Sequence, residues 1–269
     1  VINLVVALAS EARPLVRHFR MSQDRSSTSF RVYTADHIRL VVTGVGKVNS
    51  AAGVAYLGGL DNRPDQVWLN VGLAGHHSLA VGTGIIALKI TDQGDSRSRY
   101  PPRIADLPGI GSHVMTFDKP VEDYPASTVC DMEASAFYGI AIRFGTRELV
   151  QCYKVISDNK STGVSTVESS MAEGLISAKL REIDELSSIL DGLACAVSVH
   201  SPAEKPYGQF VEQWHFSATQ RGQLREALRR LAVRGPGDIL RVANWRHCKT
   251  AKSLLQEMSD YLDSLPVRL

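Results

Sequence analysis

Apolar runs of strand length alternate, along most of the chain, with segments whose apolar positions recur at helical spacing. Residues 1–8 are apolar but for Asn3, which predicts a strand buried on both faces, and residues 11–19 then place Leu15, Val16 and Phe19 on one side of a helix. Residues 30–34 and 38–43 alternate and are rich in β-branched side chains, predicting a hairpin. Its second strand runs out in Gly44-Val45-Gly46-Lys47, ahead of a small-residue helix over residues 49–59. Residues 67–71 and 84–90 read as further buried strands, the first closing in a loop, Gly72-Leu73-Ala74-Gly75. Polar residues 92–108, with Arg97, Arg99 and Arg103 around Tyr100-Pro101-Pro102, read as a loop. A strand over 113–117, a helix over 131–143 and a strand over 149–156 follow. Ser165 and Glu168 stand at capping-box spacing before one long amphipathic helix through Met171, Leu175, Ile176, Leu180, Ile183, Leu186 and Leu190.

Strands that are apolar throughout, interleaved with helices, predict an α/β fold: a mostly parallel or mixed central sheet with helices on both faces. This α/β domain is expected to span residues 1–197. Residues 198–269 form a helical extension, entered through a break at 198–208 that holds Pro202 and Pro206, with helical patterns at 218–233, 238–246 and 251–262.

Composition narrows the class. Among 269 residues, 44% are hydrophobic and 22% charged, which suits a globular chain and excludes disorder and fibre. The net charge of +2 is uneven, because residues 201–269 carry 11 Lys and Arg against 7 Asp and Glu. The basic helix with Arg221, Arg225, Arg229 and Arg230 interleaves Leu224, Leu228 and Leu231, so it reads as amphipathic with a solvated face, and nucleic acid is disfavoured as a partner. No apolar run is long enough for a membrane span, and residues 1–8 lack a basic leader, so a cytoplasmic location is expected. Cys130, Cys152, Cys195 and Cys248 show no Cys-x-x-Cys spacing and no Cys/His cluster, predicting buried thiols with neither disulfide nor structural zinc. The Gly44-x-Gly46-Lys47 stretch lacks Walker spacing, and adjacent His76 and His77 read as solvated loop residues; no metal and no cofactor is expected.

Two carboxylates stand at element ends. Glu133 opens an apolar helix in Cys130-Asp131-Met132-Glu133-Ala134, and Asp158 closes an apolar strand in Val155-Ile156-Ser157-Asp158, the position at which α/β sheets bind ligands. Glu11 follows the first strand in Ala7-Leu8-Ala9-Ser10-Glu11. Taken singly, Glu11 reads rather as an acid complementing the start of its helix, and Glu133 and Asp158 read equally as a first-turn acid and a turn cap, respectively. In this order, with Thr43-Gly44-Val45-Gly46 and Asn70-Val71-Gly72-Leu73-Ala74-Gly75, the blocks resemble the nucleoside phosphorylase and nucleosidase superfamily over residues 1–195. The motifs are most similar to those of methylthioadenosine/S-adenosylhomocysteine nucleosidases and futalosine hydrolases.

That resemblance implies an N-ribosyl hydrolase acting on a purine nucleoside or 5′-modified adenosine. Glu11 would activate water, and Asp158, desolvated beside Val155 and Ile156, would carry the proton for the leaving base. Glu133 would hold the ribose hydroxyls, with Met132, Ser157, Gly72, Leu73, Ala74 and Gly75 around the substrate. It also implies a small-molecule nucleoside as partner and a homodimer or larger homo-oligomer. Two alternatives stay open: a phosphate-dependent phosphorylase, for which only Arg13 and the 97–103 arginines offer cations, and a nucleoside-binding protein without turnover.

Overall fold

A computed structural model of the chain describes residues 1–269 except 62, 64, 122, 162–167, 200–203, 236 and 266–269. The chain divides into two compact units, Val1–Cys195 and Ala196–Leu269. The first opens with β1 (Ile2–Val6), α1 (Ala9–His18), β2 (Ser22–Gln23), β3 (Arg31–Ala35), β4 (Ile38–Val42) and α2 (Lys47–Leu60). It continues through β5 (Val67–His76), β6 (Gly84–Asp92), β7 (Ser98–Arg99), β8 (Ile110–Thr116), β9 (Val129–Asp131), α3 (Ala134–Ala141) and β10 (Val150–Asn159). Helices α4 (Ser169–Ala178) and α5 (Leu180–Val199) follow.

The sheet is mixed. β1 pairs parallel with β4 and β5, and β5 pairs parallel with β10, whereas the outer strands β3 and β2 and the β10–β6 pair are antiparallel. β6 pairs parallel with β8, β8 with β9, and β9 returns antiparallel to the end of β5. The strands β5, β10, β6, β8 and β9 therefore close a ring, which brings the C-terminal ends of β1, β5 and β10 beside β9 and the start of α3. Both sheet faces are covered. Leu4, Leu69, Val71 and Val155 pack with Leu15, Ile176, Ile183 and Leu186 from α1, α4 and α5, while Val5, Trp68 and Ile156 pack with Val54, Leu57 and Phe137 from α2 and α3.

The differences from the sequence reading have physical causes. β5 runs on to His76 instead of ending at residue 71, because Gly72 and Gly75 are points of close approach and not turns. A side chain built at Gly75 would collide with the Tyr124 ring, and one at Gly72 would press on Glu11 and Lys154. Residues 129–131 are a strand, and the helix starts at Ala134. The long helix is two, separated at Lys179, since a one-residue interruption leaves the apolar periodicity intact. Ser165 of the expected capping box lies outside the described residues. His76 is buried, not solvated, and its Nδ1 accepts the N–H groups of Ser78 and Leu79. Cys195 is exposed, unlike the other three thiols.

The second unit contains α6 (Glu204–Gln213), α7 (Ala218–Arg234) and α8 (Ala251–Ser264), with 3-10 turns at Gly237–Leu240 and Val242–Trp245 where one α-helix was expected. Pro206 lies inside α6, so the break is shorter than its prolines suggest. Leu224, Leu228 and Leu231 of α7 are buried with Phe210, Trp214, Trp245, Leu254 and Met258, whereas Arg221, Arg229 and Arg230 are exposed and Arg225 lies over the Tyr207 ring. Ser217 and Thr250 cap α7 and α8 by accepting the N–H groups of Gln220 and Ser253. No described helix is long and apolar enough to cross a membrane.

Leu69 stands in β5 with no exposure, between β1 and β10. Replacing it by Ala is expected to cost about 2–5 kcal/mol of stability, checked by denaturant unfolding.

Candidate active site

The ring of strands gathers side chains from distant parts of the chain around a cavity of about 370 Å³. Its polar wall holds Glu11, Asp131, Glu133, Ser157, Asp158 and Tyr124; its apolar wall includes Ala7, Leu8, Val45, Leu73 and Met132. Among the predicted residues, Glu11, Met132, Glu133, Leu73, Ala74, Gly75, Ser157 and Asp158 line this one space. Gly72 does not. It lies behind the wall, where its missing side chain leaves room for Glu11 and Lys154.

Glu11 is the third residue of α1 and folds back over the helix start. Its Oε2 accepts the N–H groups of Ala7 at 3.0 Å and Leu8 at 2.8 Å, and its Oε1 accepts that of Leu73 at 3.0 Å. The first-turn position is thus a helix-cap role and a cavity role at once. Burial pushes the Glu11 carboxyl above its ordinary value, against the pull of these N–H groups and of Lys154.

Glu133 precedes α3 and is also buried. Its Oε1 accepts the Gly46 N–H at 2.8 Å, which explains why the glycine-rich exit of β4 matters: Gly46 has φ of 99°, a conformation that glycine adopts without strain. Burial pushes Glu133 up, reinforced by Asp131 and Glu11 and opposed by Lys154 and the Gly46 N–H.

The sequence reading missed the group that ties these acids together. Lys154, in the middle of β10, is fully buried, and its Nζ lies 2.8 Å from Asp131 Oδ2 and 3.8 Å from Glu133 Oε2. The contact with Asp131 is an ion pair by distance, without the angle of a directed hydrogen bond. Burial alone would strip the proton from Lys154, but the surrounding carboxylates outweigh it and hold its pKa above the usual lysine value. Asp131 is itself anchored: Thr116 Oγ1 donates to Oδ1 at 2.7 Å, and the N–H groups of Glu133 and Ala134 donate to Oδ2 at 3.2 and 2.8 Å. A lone lysine inside an otherwise apolar strand was the available signal, since such a charge must find a partner.

Asp158 is half-buried, less desolvated than its neighbours Val155 and Ile156 suggested. Tyr124 and Ser157 donate their hydroxyls to its two oxygens. Tyr124 comes from the 117–128 segment, as do Lys119, Pro120 and Val121, which complete the lining. Arg13 pairs with Glu173 and Arg103 with Asp106; no arginine lines the cavity among the described residues.

No protein-family model and no curated protein matches the chain. Solved structures do. The apo 5′-methylthioadenosine nucleosidase of Arabidopsis thaliana is similar with a TM-score of 0.60 at 16% identity, over 71% of this chain and 96% of that one. The 5′-methylthioadenosine/S-adenosylhomocysteine nucleosidase of S. pneumoniae with a transition-state inhibitor gives 0.53 at 21%, over 71% and 99%. Futalosine hydrolase of Helicobacter pylori gives 0.53 at 13%, over 70% and 97%. The matched part of the chain therefore shares the α/β fold of these solved nucleosidases.

Lys154→Met leaves Asp131, Glu133 and Glu11 without their cation and is expected to destabilise the fold by about 3–5 kcal/mol. Adding Asp131→Asn should restore part of that loss. Denaturant midpoints of the single and double variants check both, and an unchanged midpoint in the single variant contradicts the pairing.

Proposed function

We propose that this chain is an N-ribosyl hydrolase that cleaves the glycosidic bond of a purine nucleoside or 5′-modified adenosine. One observation carries the reading: Glu11, Glu133 and Asp158, far apart in sequence, line a single half-apolar cavity. The nucleosidases and the futalosine hydrolase that share the fold support it.

A carboxylate offers about four lone-pair sites. Backbone N–H groups occupy three of those on Glu11, which leaves one site on Oε1 to accept from a water. In the reaction the water oxygen bonds to C1′ while the C1′–N bond breaks, its electron pair departing with the base. Glu11 takes the water proton, and Asp158 gives one to N7. The hydroxyls of Tyr124 and Ser157 both donate and accept, so they hold Asp158 with or without that proton. Glu133 retains lone pairs for the ribose 2′ and 3′ hydroxyls, and Met132 and Leu73 supply apolar contact.

The sugar becomes cationic as the bond breaks. Three buried or nearly buried carboxylates, Glu11, Asp131 and Glu133, face that charge with one ammonium, Lys154, among them, so the site is negative where positive charge develops. The arrangement is already in place before substrate arrives and needs no reorientation. Phosphorolysis would require cations around an anion, and Lys119 is the only cationic side chain in the described lining. We also propose a homo-oligomer, since Val45 and Val48 near the cavity are 43% and 81% exposed.

Pure protein incubated with methylthioadenosine, S-adenosylhomocysteine, adenosine, inosine and futalosine is expected to release free base from at least one without phosphate. Strict dependence on phosphate would reject hydrolysis. Glu11→Gln and Asp158→Asn should each lower kcat by about 10²–10⁴-fold. Because Glu11 works as the anion and its pKa is raised, activity should fall as pH drops through an acid limb lying above 4.5. A kcat/KM profile still flat at pH 4.5 would contradict Glu11 as the base in this environment.

A further inference from the structure

A second cluster of coordinating side chains lies in the unit Ala196–Leu269, outside everything that the glycosidic chemistry uses. His247 and Cys248 are adjacent in the short link between the 3-10 turn Val242–Trp245 and α8, and Glu257 stands on α8. An imidazole nitrogen, a thiol sulfur and a carboxylate oxygen from these three residues all lie within 4.8 Å of one another. His247 Nε2 is 2.6 Å from Glu257 Oε1, and Cys248 Sγ is 3.1 Å from Glu257 Oε2.

The frame behind them is fixed. Cys248 N–H donates to the Trp245 carbonyl at 3.0 Å, and the Cys248 carbonyl accepts Trp214 Nε1–H at 2.8 Å, tying the link to the aromatic core. Two residues on, Thr250 caps α8, which sets where Glu257 emerges. Cys248 is only 6% exposed, whereas the side chains of His247 and Glu257 are 59% and 47% exposed. The three donor atoms thus form a half-shell that is closed on the protein side and open to solvent.

We propose that His247, Cys248 and Glu257 bind a divalent metal ion of the zinc class, with water as the fourth ligand. Zinc takes imidazole, thiolate and carboxylate at roughly 2.0–2.3 Å in a tetrahedron, so its donor atoms sit roughly 3–4 Å apart. The two contacts of Glu257, at 2.6 and 3.1 Å, need to open by roughly an ångström or less to reach that spacing. The metal–sulfur bond forms as the thiol proton leaves to solvent. The imidazole binds through Nε2 with its proton on Nδ1, and no electron changes hands. Thiolate and carboxylate together neutralise the dication.

The donor set excludes the hard cations, which take oxygen ligands, and selects a borderline-soft one. A reactive-cysteine reading does not fit the same geometry: the thiol donates to a carboxylate and not to the imidazole, and that negative neighbour disfavours a free thiolate nucleophile. A unit of this size buries only a small core, and a metal bridging the 247–248 link to α8 would add a cross-link where small domains commonly need one.

The test is titration of the metal-stripped full chain with Co²⁺, followed by displacement with Zn²⁺. One equivalent of cobalt is expected, with a thiolate-to-cobalt charge-transfer absorption that zinc abolishes and Cys248→Ser removes. His247→Ala, at an exposed position, should weaken binding by more than the ~10–100-fold that loss of an outer-sphere partner costs. Glu257→Gln, at a half-exposed position, gives a second variant should Cys248→Ser fail to accumulate. Absence of the thiolate absorption, or cobalt affinity unchanged in both His247→Ala and Glu257→Gln, would overturn the site.

Discussion

The buried ammonium of Lys154 is the interaction on which the cavity depends. It places a positive charge at the meeting point of three chain segments that share no local sequence: the turn into α1 through Glu11, the start of α3 through Asp131 and Glu133, and β10 itself. Without it, three carboxylates would face one another in a poorly solvated space, and burial would drive at least one of them to take up a proton. With it, Asp131 is neutralised and anchored, while Glu11 and Glu133 stay only partly compensated. On the proposed function, that imbalance is what the reaction draws on. A fully paired cluster would offer little to a developing cation, and an unpaired one would cost the fold stability.

Backbone donors complete the same logic. Glu11 and Glu133 are not held by side-chain partners alone but by N–H groups of Ala7, Leu8, Leu73 and Gly46. These donors lie just past β1 (Ala7 and Leu8), at the start of α2 after β4 (Gly46) and within β5 (Leu73), strands whose positions the sheet sets. A side chain oriented by backbone moves little, so the carboxylates keep their aim without relying on bound substrate.

Much of this was legible in the sequence. Apolar runs of strand length marked β1, β4, β5 and β10, and the acids just beyond or at their ends marked the ligand side of the sheet. What escaped has identifiable reasons. Gly72 and Gly75 read as a turn, because glycine signals a turn and a close approach equally well, and only Tyr124, Glu11 and Lys154 reveal which applies. Asp131 read as the first residue of a helix; its pairing with Lys154 crosses a sequence gap that no local pattern spans. Tyr124 and Lys119 come from an irregular segment with no periodicity to interpret. His247 and Cys248 did not read as a Cys/His cluster because two adjacent residues make no ligand set, and Glu257 joins them only through the fold of the second unit.

The central claim is that carboxylates gathered around Lys154 cleave an N-ribosidic bond with water. Turnover of a substrate from the nucleoside panel in ¹⁸O-labelled water, without phosphate and analysed by mass spectrometry of sugar and base, tests it most directly. The account predicts label on the sugar and none on the released base, with both products formed about 10²–10⁴-fold more slowly in Glu11→Gln. Unlabelled sugar, a sugar phosphate formed only when phosphate is added, or bound nucleoside that is never cleaved would contradict it.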